Sequence, residues 1–169
     1  IGSNNLCLEA IHNYCRKNNI KSKIWKKNIE MEVSKLPQFF VKEMNNRNKR
    51  NIPMVYISGG ETTVEIKGNG KGGRNQEFAL HFIKLMKKRM PEQKFCLLSA
   101  GTDGRDGPTN AAGAIVNHNS LNEIKSKNID LDEELRNNNS YEVLKKINSL
   151  VIIEGTNTNV ADIQLLYLI

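Results

Sequence analysis

The sequence predicts a mixed α/β fold, and two observations carry this prediction. Residues 53–58 and 95–100 are short apolar runs of the kind that form buried strands. Residues 75–90 place Phe78 and Phe82 four positions apart, as on the apolar face of an amphipathic helix. Because such elements alternate along the chain, we expect a mixed β-sheet with flanking helices.

The N-terminal elements are predicted to be a helix and a short strand. Residues 4–17 repeat apolar side chains at helical spacing, and Ser3 or Asn4 can cap this helix. Residues 20–26 alternate between apolar and polar side chains, which is typical of a strand that is exposed on one face.

A second helical stretch and a domain boundary follow. Residues 30–49 favour a helix that is interrupted or starts afresh near Pro37, because proline is tolerated only in a first turn. This stretch ends in a run of Asn, Lys and Arg, where we place the boundary. The predicted domains are therefore residues 1–50 and residues 51–169.

Further strands and short helices are predicted beyond the boundary. The remaining strands have alternating or continuous apolar patterns, at residues 62–67, 114–117, 150–153 and 163–169. Two helices are predicted from capping boxes and a third from its apolar spacing: one at Ser120 with Glu123, one at Asp130 with Glu133, and one over residues 141–147.

Composition excludes several classes of protein. The chain carries 25 Lys and Arg against 18 Asp and Glu, a net charge of +7. The basic residues are scattered among asparagines without the aromatic interleaving that stacks bases, so we expect no nucleic-acid partner. No apolar run approaches about 18 residues, and no export signal is visible, so we expect a soluble protein with no membrane partner and a cytoplasmic or mitochondrial location. We expect a monomer or a homodimer.

Cysteine and histidine usage argues against disulfides and metal cages. The three cysteines are odd in number and lack CxxC spacing, which is typical of reduced thiols in an intracellular protein. The three histidines are equally dispersed, so no cage of Cys and His ligands is predicted.

The first candidate site is a glycine-rich segment before the predicted helix 75–90. We call residues 68–73 the glycine loop. Backbone amides at a helix N-terminus favour anions, and Arg74 adds a bidentate fork for a carboxylate or phosphate. The alternative is a tight turn whose Arg74 pairs with a surface acid. The candidate phosphate-binding residues of this segment are Gly70, Lys71, Gly72, Gly73 and Asn75. Gly60 and Glu61 precede them, and Glu61 either touches the ligand or orients Arg74.

The second candidate site is the segment 101–109, which we call the aspartate loop. Asp103 and Asp106 flank Arg105, so the two carboxylates could hold Mg²⁺, or one of them could accept a hydroxyl proton. The alternative is a loop of Asx-turns in which aspartate only caps the next element. Two threonines of this loop are further candidates for phosphate binding, Thr102 and Thr109.

Standard nucleotide fingerprints fit poorly. Residues 68–73 satisfy GxGxxG between a predicted strand and a helix, but residues 62–67 alternate in polarity, whereas a first Rossmann strand is buried on both faces. Lys71 is followed by Gly72 instead of Ser or Thr, so a Walker A loop is excluded. No GxSxG elbow is present.

Four segments resemble the MOFRL domain of the glycerate 2-kinase family, the class II glycerate kinases. They are GGETTVEIKGNGKGGRNQEFAL (59–80), LLSAGTDGRDGPTNAAGAIV (97–116), NNNSYEVL (137–144) and TNTNVADIQLL (156–166). Residues 1–11 resemble a strand-to-helix turn in the family's larger, Rossmann-like N-terminal domain, which adds Ser3 and Asn4 to the candidate substrate-binding residues. The resemblance implies that residues 1–50 are a fragment of that domain, residues 51–169 are the MOFRL-like domain, and the active site lies between the two domains.

The resemblance also implies an activity. The family transfers a phosphoryl group from ATP to the 2-hydroxyl of D-glycerate and needs Mg²⁺, so the expected partners are D-glycerate, ATP and the missing nucleotide domain. Arg74 matches the arginine of the family's GGRNQE block, and Asp103 and Asp106 match the acids of GTDGxDGPT. We hypothesise from carboxylate chemistry that these two acids bind the metal or act as the base. A hydroxypyruvate reductase and a non-catalytic interaction module remain the alternatives.

The closing segment departs from the family's pattern. The family reads close to GPTGTNVND, whereas residues 154–162 here read EGTNTNVAD. Thr158, Asn159 and Asp162 are retained, and they either line the cleft or cap their own loop.

Overall fold

The computed structural model describes residues 2–45 and 52–169, and its centre is a six-stranded mixed sheet. The strands are β1 (Ser22–Ile29), β2 (Met54–Gly60), β3 (Phe95–Gly101), β4 (Gly113–Asn117), β5 (Leu150–Val151) and β6 (Asp162–Leu168). The helices are α1 (Asn4–Lys17), α2 (Leu36–Asn45), α3 (Arg74–Arg89), α4 (Ser120–Ser126), α5 (Leu131–Arg136) and α6 (Ser140–Lys146). The predicted α/β class with a mixed sheet is confirmed.

The strand order, β1-β2-β6-β3-β4-β5, brings several strand ends to one edge. β1 and β2 are parallel, and the other neighbours are antiparallel. At one edge, Gly60 at the end of β2 pairs with Asp162 at the start of β6, which pairs with Gly101 at the end of β3. Gly113 and Val151 lie at the same edge in β4 and β5. We call this the loop edge, because the glycine loop, the aspartate loop and residues 152–161 all lie beyond it.

An aromatic cluster fixes α3 against the sheet and α2. The rings of Phe78 and Phe82 lie 5.5 and 5.8 Å from that of Phe40 in α2. Phe82 also contacts Phe95 of β3, edge to face at 5.2 Å. These rings are essentially buried. Their spacing in the sequence predicted this face correctly, and its burial holds the first residue of α3 at the loop edge.

Residues 62–67 do not form the predicted strand. Only an isolated bridge joins Thr63 to Glu32. The backbone amides of residues 67 and 68 donate to the side chain of Asn138, whose amide group donates to the carbonyl of Glu65. The alternating pattern was misleading because an asparagine side chain, remote in sequence, replaces a strand neighbour.

The second predicted helix begins later than expected. β1 runs to Ile29, and α2 begins at Leu36, so Pro37 lies in its first turn, where proline is tolerated. The predicted end of this helix and the boundary near residue 51 fall on residues 46–51, outside the described residues. β1 and β2 pair in one sheet across that position, and the assignment of residues 1–50 to a Rossmann-like domain stays a prediction.

Helix capping was predicted with mixed success. Ser3 caps α1 by accepting a hydrogen bond from the amide of Leu6, and Asp130 caps α5. The prediction for Ser120 was wrong, because Ser120 is already the first residue of α4 and its hydroxyl accepts from the amide of Asn117.

Candidate functional site

The two loops singled out in the sequence meet at the N-terminus of α3. Asp106 of the aspartate loop accepts hydrogen bonds from the backbone amides of Asn75 (3.1 Å) and Gln76 (2.9 Å). Gly73 lies directly against Asp106, where a β-carbon would overlap the carboxyl group. The glycine loop and the aspartate loop therefore converge at the start of α3.

Asp162 is the centre of the strongest polar cluster. Its side chain is fully buried at the start of β6 and accepts two hydrogen bonds from Arg74, 2.7 Å from Nε and 3.0 Å from Nη2. It also accepts one from the side chain of Asn75, at 3.0 Å. This bidentate pair fixes the plane of the guanidinium group, because both of its donors on that side are engaged.

Arg74 keeps one side towards solvent. Its side chain is 33% exposed, and its Nη1 lies 3.5 Å from Glu61, which is 68% exposed. Hydrogen bonding to Asp162 raises the pKa of Arg74, against a smaller opposing effect of burial. The arginine is thus a fixed, permanently charged group within reach of an anion. Glu61 was expected either to touch the ligand or to orient Arg74. Its contact with Nη1 of Arg74 supports the second role.

The N-terminus of α1 and Thr102 hold the backbone around Asp162. Asn4 donates from its side chain to the carbonyls of Val160 (2.8 Å) and Asp162 (3.0 Å). Thr102 donates to the carbonyl of Ala161 at 2.8 Å and accepts from the amide of Val160 at 2.9 Å. Within the described part of the chain, Asn4 Oδ1 is buried without a hydrogen-bond partner. These contacts place Asn4 and Thr102 behind the Arg74 site.

The structure places the protein's own carboxylate where the sequence interpretation placed a phosphate. Asp106 is buried, and its oxygens accept from both backbone and side-chain nitrogens of Asn75 and Gln76. Thr109 joins this group, since its hydroxyl accepts from Gln76 and donates to the carbonyl of Asp106. Burial raises the pKa of Asp106, while the bonds from Gln76 and Asn75 oppose this rise. Asp106 and Thr109 therefore stabilise the start of α3.

The described residues do not supply a complete set of protein ligands for Mg²⁺. Asp106 and Asp162 have their oxygens hydrogen-bonded, and Asp103 forms the Asx-turn that was its alternative interpretation, with Oδ1 accepting from the amide of Arg105 at 3.0 Å. In residues 2–45 and 52–169, no group of three or more His, Cys, Asp or Glu side chains could hold a metal ion. Mg²⁺ is commonly bound through one or two carboxylates plus substrate phosphates. Asp103 is the better placed of the two predicted ligands, and its role stays a prediction.

The glycine loop lies against the connection between α5 and α6. The amide of Gly70 donates to the carbonyl of Asn137, and that of Lys71 donates to the side chain of Asn139. Gly72 has no room for a β-carbon beside Ser140. The sequence interpretation assumed that the amides of Gly70 and Lys71 are free to bind phosphate. The structure shows that both are already hydrogen-bonded within the chain. The side chain of Lys71 is exposed to solvent.

Two cavities lie at the loop edge, and Gly107 and Pro108 line both. The smaller has a volume of about 190 Å³ and is lined by Arg74 and residues of the glycine loop. The larger, about 560 Å³, is lined by Lys71 and Arg105. Gly107 and Pro108 therefore form a ridge between the two cavities. Arg74 lies on one side of this ridge and Lys71 on the other.

Comparison with known proteins identifies the family. The profile of the MOFRL family matches residues 54–162. The chain belongs to the MOFRL family.

Relatives of this MOFRL chain include glycerate kinases. It is 37% identical to a glycerate 2-kinase of Pyrococcus horikoshii over 168 residues, which cover 96% of this chain and 37% of that protein. It is 47% identical to a D-glycerate 2-kinase of Thermotoga maritima over 111 residues, 66% of this chain and 26% of that protein. The crystal structure of a glycerate kinase from Thermotoga maritima superposes with a TM-score of 0.86 at 33% identity, covering 99% of this chain and 41% of that one. The chain thus spans about two fifths or less of these relatives.

In the part of the chain described, no helix is long and apolar enough to cross a membrane.

Proposed function

We propose that this chain is the C-terminal part of a glycerate 2-kinase, which transfers the γ-phosphoryl group of ATP to the 2-hydroxyl of D-glycerate. Homology to glycerate 2-kinases supports this activity. The observation that carries it in the structure is the partly exposed Arg74, held at the loop edge by the buried Asp162. A fixed cation at this place suits a substrate that carries a carboxylate and gains a phosphate.

In the proposed reaction, a bond forms between the 2-hydroxyl oxygen and the γ-phosphorus. The bond from that phosphorus to the bridging oxygen of ADP breaks, and the hydroxyl proton passes to a base or to solvent. Catalysis of this transfer depends mainly on positioning and charge compensation. Nε and Nη2 of Arg74 are held by Asp162. In this proposal Nη1, which lies 3.5 Å from the exposed Glu61, is the nitrogen left to contact the equatorial phosphoryl oxygens. Asp103 is the candidate base or Mg²⁺ ligand of this chain.

Asp162 and Asn75 act as positioning residues in this proposal. Asp162 orients the guanidinium, and Asn75 links Asp162 to the start of α3 and to Ser99, whose hydroxyl donates to Asn75 at 2.6 Å. Preorganised charges stabilise a transition state without reorganising during the reaction. The buried cluster therefore holds Arg74 rigidly in a position to face the substrate.

The remainder of the proposed enzyme supplies the nucleotide domain. The relatives are longer proteins. Two matches that include nearly all of this chain cover only 37% and 41% of the relatives' own lengths. We propose that residues 1–50 belong to a Rossmann-like domain and that the active site lies where this domain faces the loop edge. The candidate substrate-binding residues Ser3 and Asn4 lie at that edge, because Asn4 bonds to Asp162.

The structure offers little support for a nicotinamide-dependent reductase. A dinucleotide fingerprint requires a strand immediately before its glycines. Residues 62–67, which precede the GxGxxG of the glycine loop, contain only one isolated bridge.

A coupled assay on the full-length protein that contains this chain separates these functions. We expect ATP-dependent formation of 2-phosphoglycerate from D-glycerate, and no oxidation of NADH with hydroxypyruvate. Replacing Arg74 with Lys keeps the charge but loses the planar fork, so turnover should fall roughly a hundredfold or more. Arg89→Lys, at the exposed end of α3, is the matched control and should retain wild-type turnover. Reductase activity without phosphorylation, or full turnover by Arg74→Lys, would contradict the proposal.

A further inference from the structure

The larger cavity at the loop edge is a second polar site, separate from the Arg74 cluster. It has a volume of about 560 Å³. Residues from all three loops of the edge line it, among them Lys71, Gly104, Arg105, Asn110 and Gly155. A groove built from three separate loops presents groups from several directions, as a ligand site requires.

Two cations that line the groove make no ion pair with the described residues. Lys71 and Arg105 are exposed, and neither takes part in an ion pair with any other described residue. Cations gathered in a concave site without carboxylate partners raise the local concentration of anions.

Tyr141 holds Lys71 in place through its ring and its backbone. Its Nζ lies 4.5 Å above the Tyr141 ring, and the Tyr141 hydroxyl donates to Asn110 at 2.8 Å. The backbone of Lys71 is held as well, because its carbonyl accepts from the amide of Tyr141. Lys71, which lines the groove, is thus held in place by a buried aromatic ring and by a backbone bond.

We propose that this groove, the Lys71–Arg105 groove, binds the phosphate chain of the nucleoside triphosphate donor. The inference deepens the proposed kinase function and rests on it. Gly107 and Pro108 form the ridge shared with the pocket that Arg74 lines. In this arrangement the phosphate chain lies in the groove and its end points across the ridge towards Arg74. D-glycerate then occupies the pocket that Arg74 lines. Lysine and arginine are both suited to phosphate oxygens, lysine as a point charge and arginine as a fork.

Isothermal titration of the 169-residue chain tests the groove directly. We would titrate it with ATP, with tripolyphosphate and with AMP. Tripolyphosphate should bind within a few fold of ATP, and AMP should bind far more weakly. Lys71→Ala and Arg105→Ala should each weaken ATP binding roughly tenfold, since each removes hydrogen bonds between charged groups. Lys88→Ala is the matched control, because Lys88 is exposed in the last turn of α3, away from the loop edge.

The possible outcomes separate this inference from the kinase proposal. Unchanged ATP affinity in both groove variants, no saturable binding of tripolyphosphate, or equal binding of AMP and ATP would overturn the groove assignment. Circular dichroism of each variant would show that a loss of binding is not a loss of folding. If the full-length protein fails to phosphorylate glycerate while the groove binds tripolyphosphate through Lys71 and Arg105, the groove stands and glycerate 2-kinase activity does not.

Discussion

Replacing Asp162 with Asn tests the cluster on which the candidate site is built. The substitution keeps the shape of a fully buried side chain but removes its charge, and it turns an NH₂ group towards Arg74 or Asn75. Two charge-assisted bonds from Arg74 and one from Asn75 are lost or weakened. We therefore expect a loss of stability and a freed Arg74 side chain.

The size of the expected loss in unfolding free energy follows from the burial of Asp162 and Arg74. Removing one member of a buried ion pair costs about 3–5 kcal/mol. Arg74 is 33% exposed, so solvent screens part of its charge and the cost moves to about 2–3 kcal/mol. With a urea m-value of about 2–3 kcal/mol/M, the midpoint of unfolding should fall by about 1 M.

Urea unfolding followed by circular dichroism measures this change. Asp132→Asn is the matched control, because Asp132 also pairs with a cation, Lys84, but is 62% exposed. Exposed pairs contribute about 0–1 kcal/mol, so this variant should unfold close to the wild type. A loss of stability in Asp162→Asn no larger than that in Asp132→Asn would refute the argument that the buried carboxylate anchors Arg74.

Three further predictions concern the same edge. Gly60→Ala should cost about 2–3 kcal/mol, because Gly60 has φ +151° and a β-carbon would overlap the backbone of Ile29; Gly155→Ala, with its nearest atom 4.0 Å away, is the control in thermal unfolding. Burial raises the pKa of Asp106, so its contribution to stability is greatest below its ordinary pKa of about 4 and falls as the pH rises through the folded value. The advantage of the wild type over Asp106→Asn in unfolding free energy should therefore shrink as the pH rises above about 4, and an advantage that grows instead would contradict this sign. The 169-residue chain alone should not phosphorylate glycerate, and phosphate transfer by it would show that the nucleotide domain is dispensable.

Local signals predicted two helices of this fold, α1 and α3, well. The bounds of α1 agree with the predicted range 4–17, since a capping serine and a helical repeat both lie within the segment itself. α3 was predicted to within one residue at each end for the same reason. The strand prediction for residues 62–67 failed because the carbonyl of Glu65 and the amide of Lys67 bond to the side chain of Asn138, more than 70 residues away. No local pattern could reveal that partner.

The candidate site was predictable only in part, for a similar reason. Arg74 could be singled out because the residue type and the glycines before it indicate anion binding. Its partner Asp162 lies 88 positions further along, and only the antiparallel pairing of β2, β6 and β3 brings the start of β6 to α3. In the sequence, Asp162 stands before an apolar strand. This position is compatible with a side chain that lines the cleft and with one that caps its own loop. The fold shows that it is the buried counterion.

The position of the bound substrate tests the central claim most directly. A crystal structure of the full-length protein with D-glycerate and a non-hydrolysable ATP analogue should place a carboxylate or phosphate oxygen about 2.7–3.2 Å from a guanidinium nitrogen of Arg74. Arg74 should still be paired with Asp162 in that complex. Both ligands bound elsewhere, with no ligand oxygen in hydrogen-bond reach of Arg74, would contradict the account.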